Sequence, residues 1–185
     1  SEMCIRDRDY MIKSGNPTQW GHFYPDADLI KSDIDKNACK VIYDKDGIHG
    51  VFSVFDGTEP TYKHIEGGNW LNEEPYLTIH RLAGDGQVHG LFPCALNYCK
   101  KISLNIRVDT HADNKTMQRL IEKNGFIKCG TIYVKNGTAR IAYQRADFRA
   151  ARFASISLNT TRSAARSVSS SVDRHSDNWQ EIVER

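Results

Sequence analysis

The chain has 185 residues, of which 39% are hydrophobic and 26% charged, and its formal net charge is +2. That balance describes one globular domain with room for appendages. Lys and Arg are scattered among acids, which argues against a nucleic-acid partner, and no run approaches the about 18 apolar residues of a membrane span.

The five cysteines (Cys4, Cys39, Cys94, Cys99, Cys129) are odd in number and sit in apolar segments, so they read as reduced thiols of a cytoplasmic protein. From the start, Ser1 to Arg8 resembles the translated end of a sequencing-library adapter. Residues 1–9 are therefore set aside as a non-native leader, with native sequence expected upstream of Tyr10. Lys13-Ser14-Gly15-Asn16-Pro17 reads as a helix ending in a loop. Tyr24-Pro25-Asp26 opens a second helix, with Leu29, Ile30 and Ile34 on its apolar side. Lys40–Tyr43 and Ile48–Phe55 are strands joined by the hairpin turn Asp44-Lys45-Asp46-Gly47. A glycine-containing loop then carries Tyr62 and Trp70.

Tyr76–Ala83 is the next strand, followed by a loop over Gly84–Gly90 and a helix from Leu91 to Lys101. Leu91, Ala95, Tyr98, Cys99 and Ile102 are its expected inward face. Leu104–Asp109 is a strand, and Asp113 or Asn114 caps a helix that points Met117, Leu120 and Ile121 inward. Gly125 should end that helix in a left-handed conformation, with Phe126 folded back on Ile121. Ile127–Val134 and Ala139–Arg145 form a hairpin through Asn136-Gly137. Residues 146–185 are rich in Ser and Arg and read as a disordered tail, with a short helix around Asp177–Val183 as the one element that fits there. The domain is expected to span residues 10–145, an α/β chain with a mixed sheet.

The stretch from Tyr76 to Phe126 carries the chemistry. A strand feeds Gln87-Val88-His89-Gly90-Leu91-Phe92 and then a helix, and loop amides converging on a helix start attract an anion. A second strand and helix follow, ending Leu120-Ile121-Glu122-Lys123-Asn124-Gly125-Phe126. This order resembles the GNAT superfamily of N-acetyltransferases. It is similar to bacterial members in Gln19-Trp20, Tyr24-Pro25, His80-Arg81-Leu82-Ala83 and Asp109-Thr110-His111-Ala112-Asp113-Asn114.

The resemblance implies a mixed central sheet flanked by helices, with a first strand absent here, which would leave Lys40–Tyr43 as an open edge. It implies acetyl-CoA as co-substrate. Leu82 and Ala83 would pair through their main chain with the pantetheine arm. The amides of Gln87, Val88, His89, Gly90, Leu91 and Phe92 would hold the pyrophosphate. Asn114 would touch the cofactor or a water near the thioester, and Lys123 would reach toward the phosphates unless it is a plain surface charge. Two residues depart from the pattern. Phe92 stands where the loop wants Gly or Ala, so its ring either crowds the pyrophosphate or turns into the core. Ile121 replaces a tyrosine that in many members protonates the departing thiolate, which leaves the acid unassigned.

Acetyl transfer requires a neutral amine, hence a base. His80 is the expected base, on one strand face with Thr78 and Tyr76, and His111 is a second candidate. Trp20, Tyr24, Tyr62 and Trp70 are read as an aromatic wall for the acceptor, a small-molecule or peptide amine. A homodimer is left open. Two other classes are compatible with parts of the sequence. One is an acetyl-CoA-binding module without activity; the other is a metal hydrolase using His80, Asp109, His111 and Asp113, which lacks paired His spacing, so no metal is expected.

Overall fold

A computed structural model describes residues 2–57, 59–147 and 181–184. Helix α1 (Glu2–Lys13) leads into a loop, and α2 (Ala27–Asp35) starts where the Asp26 carboxylate accepts the Leu29 N–H at 2.7 Å. Strands β1 (Cys39–Asp44) and β2 (Gly47–Asp56) form the expected hairpin, with Asp44 opposite Gly47. A short 3-10 turn, Pro60–Tyr62, precedes β3 (Leu77–Gly84). Then come α3 (Leu91–Lys100), β4 (Ile106–Thr110), α4 (Lys115–Lys123) and the hairpin of β5 (Ile127–Tyr133) with β6 (Ala139–Arg145).

Asn114, not Asp113, caps α4, its Oδ1 accepting the Met117 N–H at 3.0 Å. The other end closes as the sequence predicts. Gly125 takes φ +81°, its N–H donates to Glu122 O, and the Phe126 N–H donates to Ile121 O, the paired bonds of a Schellman cap.

The sheet order is β5-β6-β4-β3-β2-β1-β7, where β7 is Glu181–Glu184. Among the described strands only β3 and β4 run parallel; every other neighbouring pair is antiparallel. The expectation of an open edge at β1 is therefore corrected, since β7 pairs with it from Lys40 to Tyr43. Residues 181–183 are strand, not the helix their local sequence suggests, because they find backbone partners in β1 that no local pattern announces. Residues 148–180 lie outside the described part of the chain.

Strand alternation divides the core. One sheet face presents Phe52, Leu77, Ile79, Ile106, Val108 and Tyr143 to α3 and α4. On α3 the buried positions are Phe92, Ala95, Leu96 and Cys99, while Ile102 lies past the helix and is exposed, contrary to the expected inward face. The opposite face is covered by α1 with Trp20, which pack on Ala83, and by the Tyr62, Tyr76, Ile132 and Ala142 cluster. Cys4 and the other residues of the supposed leader that are described belong to α1, and Cys4 is buried. All five cysteines are free thiols, and burial pushes the Cys99 thiol up to about 12.

Candidate active site

The parallel pairing of β3 with β4 ends after Leu77–Ile106 and Thr78–Arg107. Beyond it the strands part. A cleft of about 1180 Å³ opens between them, with Ile79 to Gly84 on one side and Val108 and Asp109 on the other. A bulge in β3 shapes this side: Val51 lies opposite Ala83, but Ser53 lies opposite His80. At the bulge Arg81 has φ +53°, a conformation uncommon for a side-chain-bearing residue. A buried ion pair holds it there. Arg81 Nε and Nη2 lie 2.7 and 2.6 Å from Asp33 Oδ2 on α2, and Arg81 Nη1 donates to the Tyr24 hydroxyl at 3.1 Å. Ser53 Oγ donates to the same Asp33 oxygen at 2.6 Å.

At one end of the cleft Gly90 takes φ +87° and leads into α3, whose first turn has no side-chain cap. Uncapped amides at a helix start are an anion site in waiting. Val88, His89, Gly90, Leu91 and Phe92 line this end. The Phe92 ring turns away into the core, 6.0 Å from Phe126, so it leaves the loop clear. Gln87 does not line the cleft; its N–H donates to Asp85 Oδ1 at 2.8 Å. Lys123 is exposed at the far end of α4 and is also outside the lining. Asn114 does line it, and its Nδ2 donates to Gln19 Oε1 at 2.9 Å.

The loop at this end has a support that the sequence reading missed. His49 of β2 is held by Asp85 Oδ2 at 2.7 Å through Nδ1 and by Asp44 Oδ1 at 2.8 Å through Nε2. The bonds to Asp85 and then Asp44 raise the imidazole pKa. Asp7 of α1 also reaches the cleft, and burial pushes its carboxyl up to about 6 against the pull of the Gly84 amide.

At the other end His80 faces the opening together with Glu59, Thr61 and Asp109. Its Nε2 is 3.4 Å from Glu59 Oε2 and its Nδ1 is 4.0 Å from Asp109 Oδ1. Neither Glu59 nor Asp109 was singled out for this role in the sequence; Glu59 sits in a loop with no motif around it. Trp20 and Tyr24 line the cleft, edge to face at 6.2 Å between centroids.

Tyr62 and Trp70 do not, which corrects half of the expected aromatic wall. Tyr62 is fully buried and donates its hydroxyl to Asp109 Oδ1 at 2.7 Å. Trp70 packs on Tyr62 at 5.1 Å and covers the Arg107 guanidinium at 4.0 Å. His111 is outside the lining as well. Its Nδ1 accepts the Asp113 N–H at 3.2 Å, its Nε2 lies 3.3 Å from Thr18 Oγ1, and burial, then the Arg140 charge, lowers its pKa. That histidine orders the loop before α4. Ile121 is wholly buried and offers no proton.

A mixed sheet that splays between two parallel strands, with a helix start at one end of the gap, fits the α/β acyltransferase fold expected from the sequence. Comparison with solved structures narrows the class. A GNAT-family acetyltransferase from Streptococcus agalactiae is 30% identical, with a TM-score of 0.69 over 79% of this chain and 87% of that one. A Staphylococcus aureus protein assigned as an acetyltransferase is 28% identical at a TM-score of 0.53, covering 77% and 90%. A Listeria monocytogenes GNAT-family acetyltransferase shares the fold at 19% identity and a TM-score of 0.54, covering 77% and 84%. No protein-family model and no curated protein matches the sequence. The chain belongs to the GNAT family of acetyltransferases.

Among the described residues, no group of His, Cys, Asp and Glu is placed to hold a metal, and no helix is long and apolar enough to cross a membrane.

Proposed function

We propose that the enzyme moves an acetyl group from acetyl-CoA to a primary amine of a small molecule or peptide, by direct attack. The observation that carries this reading is the parting of β3 from β4 beyond Thr78. Among the described residues it leaves Leu82 and Ala83 without a strand partner on the β4 side, where an extended pantetheine arm would add as a strand. The pyrophosphate would rest on the amides from Val88 to Phe92, where the helix dipole favours negative charge. Asn114 would orient the thioester end, with Gln87 and Lys123 at most peripheral to it.

The acceptor enters past Trp20 and Tyr24. Its ammonium has no lone pair and must first lose a proton, which His80 accepts. The amine then attacks the thioester carbonyl, and the oxyanion is stabilised by an N–H at the β3 bulge near Leu82. Attack forms the C–N bond; collapse then re-forms the carbonyl and breaks the C–S bond, and the second proton shed by the nitrogen goes to the departing CoA thiolate.

The test is CoA release against an amine library, repeated with His80→Gln. That substitution is expected to lower kcat by about 100-fold with acetyl-CoA binding intact. Unchanged turnover and pH profile would remove His80 from the mechanism.

A further inference from the structure

We propose that Glu59 is the positioning residue for His80: it holds Nε2–H and leaves the Nδ1 lone pair as the base. This rests on the reading of His80 given above. Of the two ring nitrogens, Nε2 is buried and faces Glu59 Oε2 at 3.4 Å. That contact is at ion-pair distance without the alignment of a formed hydrogen bond, so it is poised to tighten when the ring gains charge. Nδ1 faces Asp109 across 4.0 Å, and both side chains line the cleft. An acceptor ammonium fits that gap, with Asp109 to attract it and Nδ1 to take its proton.

Glu59 is built for the task. Its Oε1 is used up by Thr61, accepting from the N–H at 3.2 Å and from Oγ1 at 2.9 Å, which aims Oε2 at the ring. Its own N–H donates to the Tyr76 hydroxyl at 3.2 Å, which fixes the loop. The ring itself is set between Phe55 and Tyr62, at 5.9 and 6.2 Å between centroids.

The two carboxylates differ in what else they serve. Asp109 is already committed to the Tyr62 hydroxyl at 2.7 Å and lies 3.9 Å from Arg140 Nε. Among the described residues Glu59 pairs with no cation besides His80. The ring and the Thr61 donors hold its carboxyl down to about 2, so it is charged throughout the working range. The other groups near the imidazole are the Tyr62 and Tyr76 hydroxyls, and the neighbouring Arg81 charge is spent on Asp33. A fixed carboxylate beside one ring nitrogen both selects the tautomer and stabilises the imidazolium formed in the reaction.

The experiment compares wild type, Glu59→Gln, Glu59→Asp and His80→Gln with an amine identified by the library screen. Acetyl-CoA binding is measured separately by calorimetry. Glu59→Gln is expected to lower kcat about 10- to 100-fold with acetyl-CoA affinity unchanged, and to change the acid limb of the kcat/KM profile. Glu59→Asp should restore part of the rate and most of the limb.

Nitrogen NMR of the wild type reads the tautomer without any turnover, and a proton on Nε2 is expected. A proton on Nδ1, or a Glu59→Gln profile superimposable on wild type while His80→Gln loses the acid limb, overturns the role of Glu59 alone. Should His80→Gln keep the wild-type profile, the base assignment falls and this role falls with it.

Discussion

Asp33 is buried among three donors that reach it from Arg81 and Ser53, and it ties α2 to the β3 bulge through charge. Removing one partner of such a pair leaves the other charge buried. Asp33→Ala should therefore cost about 3–5 kcal/mol in urea unfolding, well above an exposed pair such as Lys31–Asp35. A smaller, more specific effect is expected from Tyr62→Phe. It removes the 2.7 Å donor from Asp109 without altering the cleft lining, so KM for the amine should rise several-fold while acetyl-CoA affinity holds. The place of His80 at the cleft was legible in the sequence because alternation along one strand puts it on a face with Thr78 and Tyr76. Glu59 was not, because its tie to His80 spans a loop and carries no spacing rule.

At the scale of elements, α4 ends on a conformation that only glycine adopts cheaply. Gly125→Ala should cost about 1 kcal/mol with little change in activity, measured as a lower urea midpoint at unchanged slope. Helix α1 offers a pH test. The Asp7 carboxyl is raised from 3.8 to about 6, chiefly by burial. The folded state thus binds a proton more readily between those two values, and stability falls as pH rises through that window. Asp7→Asn should stabilise the protein at pH 7.5, by about 1 kcal/mol once partial solvent access is allowed for, and give no gain at pH 4. A constant difference at both pH values would contradict this.

For the molecule as a whole, His49 joins three parts of the chain: its own strand β2, Asp44 at the end of β1, and Asp85 in the loop that leads to α3. Arg6 of α1 donates to the carbonyl of that same Asp85. The imidazole pKa is raised in the folded state, so its contribution is complete below its unfolded value and is lost as pH rises through the folded one. Asp44 and Asp85 are lowered, so theirs is complete above the unfolded carboxylate value and lost in acid. The gap in melting temperature between wild type and His49→Gln should be widest near pH 6 and shrink toward pH 8.5. A gap that widens with pH would mean that the ring is held neutral.

The order of elements from α2 to β6, the two hairpin turns, the glycine cap that ends α4 and the likeness of residues 76–126 to GNAT proteins were all present in the sequence alone. Each depends on groups a few residues apart, where backbone preference and side-chain spacing act without help from the rest of the chain. Three features needed the tertiary structure: β7 on the edge of β1, the placement of Tyr62 and Trp70 behind the cleft rather than in it, and the meeting of His80 with Glu59 and Asp109. These arise only when distant segments are brought together by sheet pairing and by burial of the two core faces. Burial is non-directional, so residue types alone do not say which neighbours it will choose.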